Sequence, residues 1–584
     1  MARGKLMARR SLSSLAVLVF IALAAIAVLL TRQPPMNSAP KLLTDPFLQL
    51  PTETSVRVVW FTEFPGTEHT VAYGEGLNRT ASATTTLLSR TREDHKSHIE
   101  DAPLEPTRRK IWRHEAEVTG LTSGIRVSYR VTSRQEDGQA ASSEQFSLAP
   151  LPPPETPLKI LLTSDHQLKP MTTANLQKVG ETVGQVDGVF FAGDLVNVAD
   201  RASEWFDDKR GGAFFPSLQG YATYALEQEG VKTSYSGAPL IQSAPLFTAI
   251  GNHDVMGRFS TESSLSAQFS DAIPRSVAKQ LYSPPQSQQK EWLKNHSFNT
   301  DTYNEMFTLP QSNTGGENYY AVTFGNVRLI VLYATNIWRT PSLESDAMGK
   351  YREAEADLPE PKKWGYGQHI FEPLHRGSTQ YRWLEAELNS PEFQQAKYKV
   401  VMFHHPPHSL GSNVVPPYTD PVQKIDRDAE NNTTAVRYEY PQAKDYIIRD
   451  VVPLLESAGV QLVFYGHSHL WNRFVSASGM HFLETSNVGN TYGAFVEDKQ
   501  RQVPTGYEAE YVATGNPNGL EPIVPNLAPL RGEDHHPLPY LASNEITVFS
   551  ILDTGTGLVS SYYFDTRSPS SEVVKFDEFS CLTN

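Results

Sequence analysis

Five short polar motifs, each closing an apolar run of strand length, set the main constraint on this chain. They read Ser164-Asp165-His166-Gln167, Gly193-Asp194, Gly251-Asn252-His253-Asp254, His404-His405-Pro406-Pro407 and Gly466-His467-Ser468-His469. The runs before them, such as 158–163 and 188–192, read as buried strands, and the ends of strands are where α/β folds carry their sites. The motifs supply Asp, Asn and His, the oxygen and imidazole donors that hard-to-borderline metal ions prefer. One such motif would mean little; the ordered set describes a two-metal hydrolase.

The chemistry explains the residue types. Two metals roughly 3.5–4 Å apart need a ligand that reaches both, and a carboxylate with two oxygens does that. Asp194 ends a buried run, and Gly193 lets the backbone turn sharply beneath the metals. Asn252 offers a neutral oxygen, which keeps a dinuclear site from accumulating negative charge, and His253 beside it is free to meet substrate. His467 and His469, two apart in an extended segment, point to the same side, a spacing that suits one imidazole for each metal.

The set resembles the calcineurin-like metallophosphoesterase superfamily, and within it the purple acid phosphatase branch. Residues 464–473 (FYGHSHLWNR) are similar to that branch's Gly-His-x-His-x-Tyr-x-Arg, and 402–406 (MFHHP) to its Met-His-x-Pro. Residues 380–388 match one of its helices. The resemblance implies an α/β two-sheet sandwich flanked by helices and two divalent or mixed-valence metal ions, iron with iron, zinc or manganese. It implies one metal held by Asp165, Asp194 and His469, and the other by Asp194, Asn252, His404 and His467. His253 would bind a phosphate or leaving oxygen, and Asp254 would orient that imidazole.

Two positions depart from the pattern. The tyrosine that colours purple acid phosphatases falls at Asn197, so no purple protein is expected. The His that other superfamily members place two residues after the first Asp falls at Gln167. Gln167, His166 or Asn197 then completes the first metal site, or that site binds metal weakly. His405 and His408 read as supporting or solvent-facing, and Arg473 as a partner for a carboxylate on the surface.

At 584 residues the chain is too long for one ordinary domain. Arg3, Lys5, Arg9 and Arg10 precede an uncharged run at 11–30, long enough at 1.5 Å per residue to span a hydrocarbon core of about 30 Å. Residues 1–31 are therefore expected as a transmembrane signal anchor, or alternatively as a cleaved signal peptide. Either places the catalytic part outside the cytoplasm: membrane-anchored in the first case, secreted or periplasmic in the second. A linker at 32–43 leads to an all-β sandwich at 44–150, whose 45–47, 56–60 and 114–121 resemble the fibronectin-type N-terminal domain of purple acid phosphatases. The metallophosphoesterase domain is expected at 158–566, with helices at 172–183, 378–389 and 445–458 and late strands at 545–552 and 558–564 completing its second sheet. Residues 567–584 read as a tail, and long polar insertions at 199–243, 255–316, 339–377 and 407–443 as pocket walls.

Removing residues 1–32 takes five basic residues from 51 and leaves all 65 acidic ones, so the net charge moves from −14 to about −19. Such a surface excludes nucleic acid as a general partner. Cys581 is the only cysteine, so no internal disulfide forms. A small phosphate ester is the expected substrate: a monoester first, with a diester or nucleotide as the alternative. A cell-surface binding protein with a degenerate metal site is the reading of another class. Nothing in the sequence fixes an oligomeric state.

Overall fold

Period-two alternation in one strand explains how the N-terminal β domain is built and docked. In Val56–Thr62 (VRVVWFT), Val56, Val58 and Trp60 enter the core of that domain, while Val59 and Phe61 enter the core of the following domain. This strand lies in a four-stranded sheet with Phe47–Gln49, Trp112–Val118 and Thr84–Leu87. Glu68–Tyr73 and Val127–Arg134 are central in the facing sheet. Phe47 and Phe61 pack on Phe215 at 5.1 and 5.4 Å between ring centroids, and Tyr129 Oη donates to the Gln242 carbonyl at 2.6 Å. The computed structural model describes residues 40–281, 289–335, 352–367, 371–413, 422–439, 445–494 and 524–582. The expected anchor at 1–31 lies outside them; among the described residues no helix is long and apolar enough to cross a membrane.

The two β sheets of the N-terminal domain meet at a pair of buried imidazoles, His69 and His114, stacked at 3.7 Å. His69 Nε2 donates to the Pro65 carbonyl, and its Nδ1 accepts from Ser133 Oγ, which itself accepts from Trp60 Nε1. His114 Nε2 donates to Thr62 Oγ1, whose hydroxyl is spent on the Phe64 carbonyl, and Nδ1 accepts from Thr85 Oγ1. Both rings are thus satisfied only when neutral. Burial first, then the neighbouring His69, pushes His114 down to about 3. Below the unfolded value of 6.5 the unfolded chain takes up a proton that the folded one refuses, so stability falls as the pH drops from there toward 3. Between pH 7.5 and 4.5, His114→Gln should remove about 2 kcal/mol of the acid-induced loss seen in wild type. Urea midpoints at the two pH values check this; equal losses in both proteins would refute it.

The second domain faces two sheets across its core. In the first, Leu246–Thr248, Gly188–Phe191 and Lys159–Thr163 run parallel, and Ile546–Asp553, Leu558–Asp565 and Val574–Ser580 continue antiparallel from the last of them. The late strands therefore extend the first sheet and do not complete the second. The reason lies in Ile546–Asp553 (ITVFSILD), buried along nearly its whole length, which needs a strand on each edge and cover on both faces. The described part of the expected tail, 567–582, is no mere tail either: Val574–Ser580 forms the sheet edge, and its Asp577 holds a buried Arg473 through two contacts of 2.6 and 2.7 Å.

The second sheet orders Tyr320–Phe324, Val327–Val331, Tyr398–Met402, Leu462–Tyr465, His481–Thr485 and Trp471–Val475, with Asn526–Leu527 at the edge. Leu329, Val331, Val400, Met402, Leu462 and Phe464 face the first sheet, while Ile330, Val401, Val463 and Tyr465 face the outer helices. One such helix, Thr379–Leu388, starts where Ser378 Oγ caps the Tyr381 amide at 3.2 Å. The helix expected at 445–458 opens instead as a π-turn, Ile447–Val451, before the α-helix Val452–Ser457, because Pro453 lacks the amide an α-turn needs there.

Candidate metal centre

The five motif loops leave the C-terminal ends of parallel strands and meet between the sheets. Asp165, Gln167, Asp194, His467 and His469 all sit at positive φ, from 41 to 82°. That conformation is costly for a residue with a Cβ and persists only where the surroundings enforce it. Gly193, at φ 91°, cannot be replaced cheaply: a Cβ there would lie 2.7 Å from the Gly251 amide and 2.8 Å from His404 Nδ1.

Four donor atoms cluster first. Asn252 Oδ1 is 3.0 Å from both His404 Nε2 and His467 Nδ1, and His404 Nε2 is 3.2 Å from Asp194 Oδ2. His404 Nδ1 faces the Ala192 carbonyl at 2.8 Å, and a carbonyl only accepts, so Nδ1 carries the hydrogen. A neutral His404 therefore turns a lone pair toward two oxygens, an arrangement that wants a cation between them, a proton or a metal. Burial works to lower His404, but the Asp194 carboxylate outweighs it and raises the ring to about 9. Burial likewise works to raise Asp194, while His404 and His253 hold its carboxyl below the usual range.

A second cluster adjoins this one. His469 Nε2 is 3.4 Å from Asp165 Oδ1, a buried oxygen with no hydrogen-bond partner. His469 Nδ1 donates to the Asn490 carbonyl at 2.7 Å, again leaving Nε2 free for a cation. Donor atoms of Asp165, Asp194 and His404 lie within 4.8 Å of one another, as do those of His404, His405 and His467. The residue types and the orphaned oxygen fit metal ions better than they fit a closed hydrogen-bond network. His405 turns Nδ1 to Thr335 Oγ1 and stacks on His467 at 3.8 Å. His408 is buried against Phe482, not solvent-facing.

Of the three candidates for the vacant ligand position, the structure brings only Gln167 to the cluster. Its Nε2 donates to Asp194 Oδ2 at 2.8 Å, and its Oε1 has no partner. His166 points into the core, with Nε2 on Thr163 Oγ1 and its ring edge-on to Phe191. Asn197 turns its amide away, Nδ2 to the Gln167 carbonyl and Oδ1 toward Lys169.

Asp254 does not orient His253. Its carboxylate accepts from the backbone amides of Asp194, Leu195 and Gly251 at 2.8–3.1 Å and so ties two motif loops together. Two of those amides meet Oδ2 and one meets Oδ1, and the neighbouring ring finds its partner elsewhere. Burial, reinforced by Asp194, pushes the Asp254 carboxyl up to about 8. His253 is oriented instead by the Asn197 carbonyl, 2.8 Å from Nδ1, and by Phe269, stacked at 4.9 Å. Burial lowers this imidazole despite Asp194.

Other supports lie outside the motifs. Glu484 accepts from the Ser468 amide, Ser409 Oγ and Asn472 Nδ2 at 2.8–3.0 Å, and so pins the loop between the two late imidazoles. A charged residue in the buried strand His481–Thr485 is the signal that marks it in the sequence. The expected insertions contribute Phe269 beside His253 and Asn413, whose Nδ2 donates to the His467 carbonyl at 2.7 Å.

Fold and site together define a phosphoesterase-type hydrolase with candidate metal ligands between two sheets. The chain belongs to the calcineurin-like phosphoesterase family, whose profile matches residues 158–470, and the profile of the purple acid phosphatase N-terminal domain matches residues 44–149. Members of the family typically bind two metal ions. The purple acid phosphatase PPD1 from yellow lupin seeds is similar over 91% of this chain and 73% of its own, at 14% identity and a TM-score of 0.48. GAP50, the anchor in the inner membrane complex of Plasmodium, is similar over 72% of this chain and 89% of its own, at 11% identity and a TM-score of 0.29. No curated protein matches the chain in sequence.

Proposed function

We propose that this protein hydrolyses phosphomonoesters at a dinuclear metal centre. The observation that supports this reading is the convergence of Asp194, Asn252, His404 and His467, with contacts of 3.0–3.2 Å, beside the Asp165–His469 pair at 3.4 Å. One metal is assigned to Asp165, Asp194 and His469, and the other to Asp194, Asn252, His404 and His467. An amide turn of 180° would present Gln167 Oε1 in place of Nε2 and supply a further oxygen to the first. With oxygen and imidazole donors and no thiolate, iron paired with iron, zinc or manganese suits the set. Such metals, when bound, supply Lewis acidity toward phosphate oxygens and make water more acidic.

The chain's own residues do the rest. The Asn197 carbonyl fixes the His253 ring by Nδ1, so Nε2 is the atom presented to a phosphate or leaving oxygen, and it donates there only as the imidazolium. Asp254 keeps the loops of Asp194 and Asn252 in register through their backbone. On this reading the run at 11–30 anchors the enzyme with its catalytic domain outside the cytoplasm, or is removed as a signal peptide.

A binding protein with a degenerate centre is the second reading, favoured by Gln167, which spends a donor on Asp194 where relatives place a ligand. Metal analysis paired with hydrolysis of an aryl phosphate and a bis-aryl diester separates the readings. The expected result is two metal equivalents, preference for the monoester, and a His253→Ala variant that keeps its metals but loses about 10²–10⁴-fold in kcat. A folded wild type that takes up no iron, zinc or manganese and turns over neither ester would favour binding.

A further inference from the structure

Lys169 follows Asp165 by four residues and Gln167 by two, and lies half-buried. Its Nζ is 3.4 Å from Asn197 Oδ1. Burial lowers the Lys169 amine, and the carboxylates of Asp194, Asp165 and Glu204 oppose that without, among the described residues, making an ion-pair contact with it. Asn197 is itself held rigidly, by Glu204 on its amide at 2.7 Å and by the Gln167 carbonyl on its Nδ2 at 2.6 Å. Its backbone carbonyl orients His253. One residue therefore positions both an ammonium and an imidazole on the same side of the centre, at the position where the resemblance would put a metal-binding phenol.

We propose that Lys169 is a substrate-binding cation that takes a terminal phosphate oxygen the metals leave free, and so selects phosphomonoesters over diesters. The proposal rests on the dinuclear phosphoesterase reading above. Asp165 and Asp194 cannot neutralise two metal ions of charge two or more, so a loaded centre is cationic, and Glu204 is already engaged by Arg201 and by the Asn197 and Val198 amides. A phosphomonoester dianion has three terminal oxygens; with two toward the metals, one remains for a point charge such as a lysine ammonium. A diester has one charge and two terminal oxygens, and leaves none.

Lys169→Gln, Lys169→Arg and wild type, each loaded with metal, are compared by calorimetric titration with inorganic phosphate, by metal content and by kcat/KM for an aryl monoester and a bis-aryl diester. Lys169→Gln should keep its two metals, bind phosphate about tenfold or more weakly, and lose a similar factor in the monoester-to-diester ratio. Lys169→Arg should keep most of both. Unchanged phosphate affinity and ester ratio in an active Lys169→Gln protein would overturn the proposal and leave the phosphoesterase reading intact. Loss of metal in that variant would also overturn it, by making the ammonium a structural prop. A wild type that neither binds phosphate nor cleaves either ester would remove the reading and the proposal together.

Discussion

Replacing Asp194 by Asn should lower the kcat/KM for an aryl phosphate by more than about 100-fold, the scale on which residues that merely orient metal ligands act. Metal content should fall by at least one equivalent. Asp194 stands at the junction of both donor clusters: Oδ2 lies 3.2 Å from His404 Nε2 and 2.8 Å from Gln167 Nε2, and Oδ1 accepts the His253 amide at 2.8 Å. An asparagine has the same shape but only one acceptor. With its NH₂ toward His253 it opposes a backbone N–H, and with its NH₂ toward Gln167 it opposes another amide donor and points hydrogens at His404. Either orientation leaves a buried mismatch, and neither provides two anionic oxygens. The variant also removes the negative charge that raises His404. Elemental analysis and turnover, with circular dichroism as the check on folding, test this. Two metals and activity within tenfold of wild type would show that Asp194 does not bridge.

How much of this centre is legible in the sequence follows from which atoms do the work. The candidate ligands Asp165, Asp194, Asn252, His404, His467 and His469 offer side-chain donor atoms, and each follows an apolar run that reads as a strand. Their convergence therefore follows from pattern. The residues that aim them act through backbone groups, which have no letter: the carbonyls of Ala192, Asn197 and Asn490 fix His404, His253 and His469. In the sequence Asp254 reads as a side chain beside a ring, whereas its partners are three amides that only the folded loops bring together. Gln167 is half legible: its place near the centre follows from spacing, but the direction of its amide depends on what lies between it and Asp194. The same contrast holds for the fold. The strand Lys159–Thr163 and the helix Thr172–Val183 carry local signals, whereas the sheet that Ile546–Asp553 joins is decided by cover from distant residues.

Substituting Arg92 by Met should cost about 3–5 kcal/mol, the usual result of stranding a buried charge. Arg92 reaches from the N-terminal domain into the loops that follow the Gly-Asp motif. Its Nη2 meets Asp200 Oδ2 at 2.7 Å and Gln268 Oε1 at 2.9 Å, and Nη1 meets the Ser260 carbonyl at 2.8 Å. Asp200 is equally buried, and its other oxygen is taken by Thr302 Oγ1 at 2.6 Å. Burial already raises the Asp200 carboxyl above 3.8, with Arg92 offsetting only part of that. A carboxyl raised in the folded state stabilises most when protonated, and that contribution is lost as the pH climbs through its folded value. Without Arg92 the shift grows, so the deficit should be largest near pH 7.5 and shrink toward pH 4.5. Arg92→Met/Asp200→Asn should recover much of the loss, because it removes the stranded charge as well as its partner. Denaturant midpoints for the three proteins at both pH values measure all of this. A deficit under about 1 kcal/mol that ignores pH would mean that the aromatic contacts of Phe47 and Phe61, and not this ion pair, hold the two domains together.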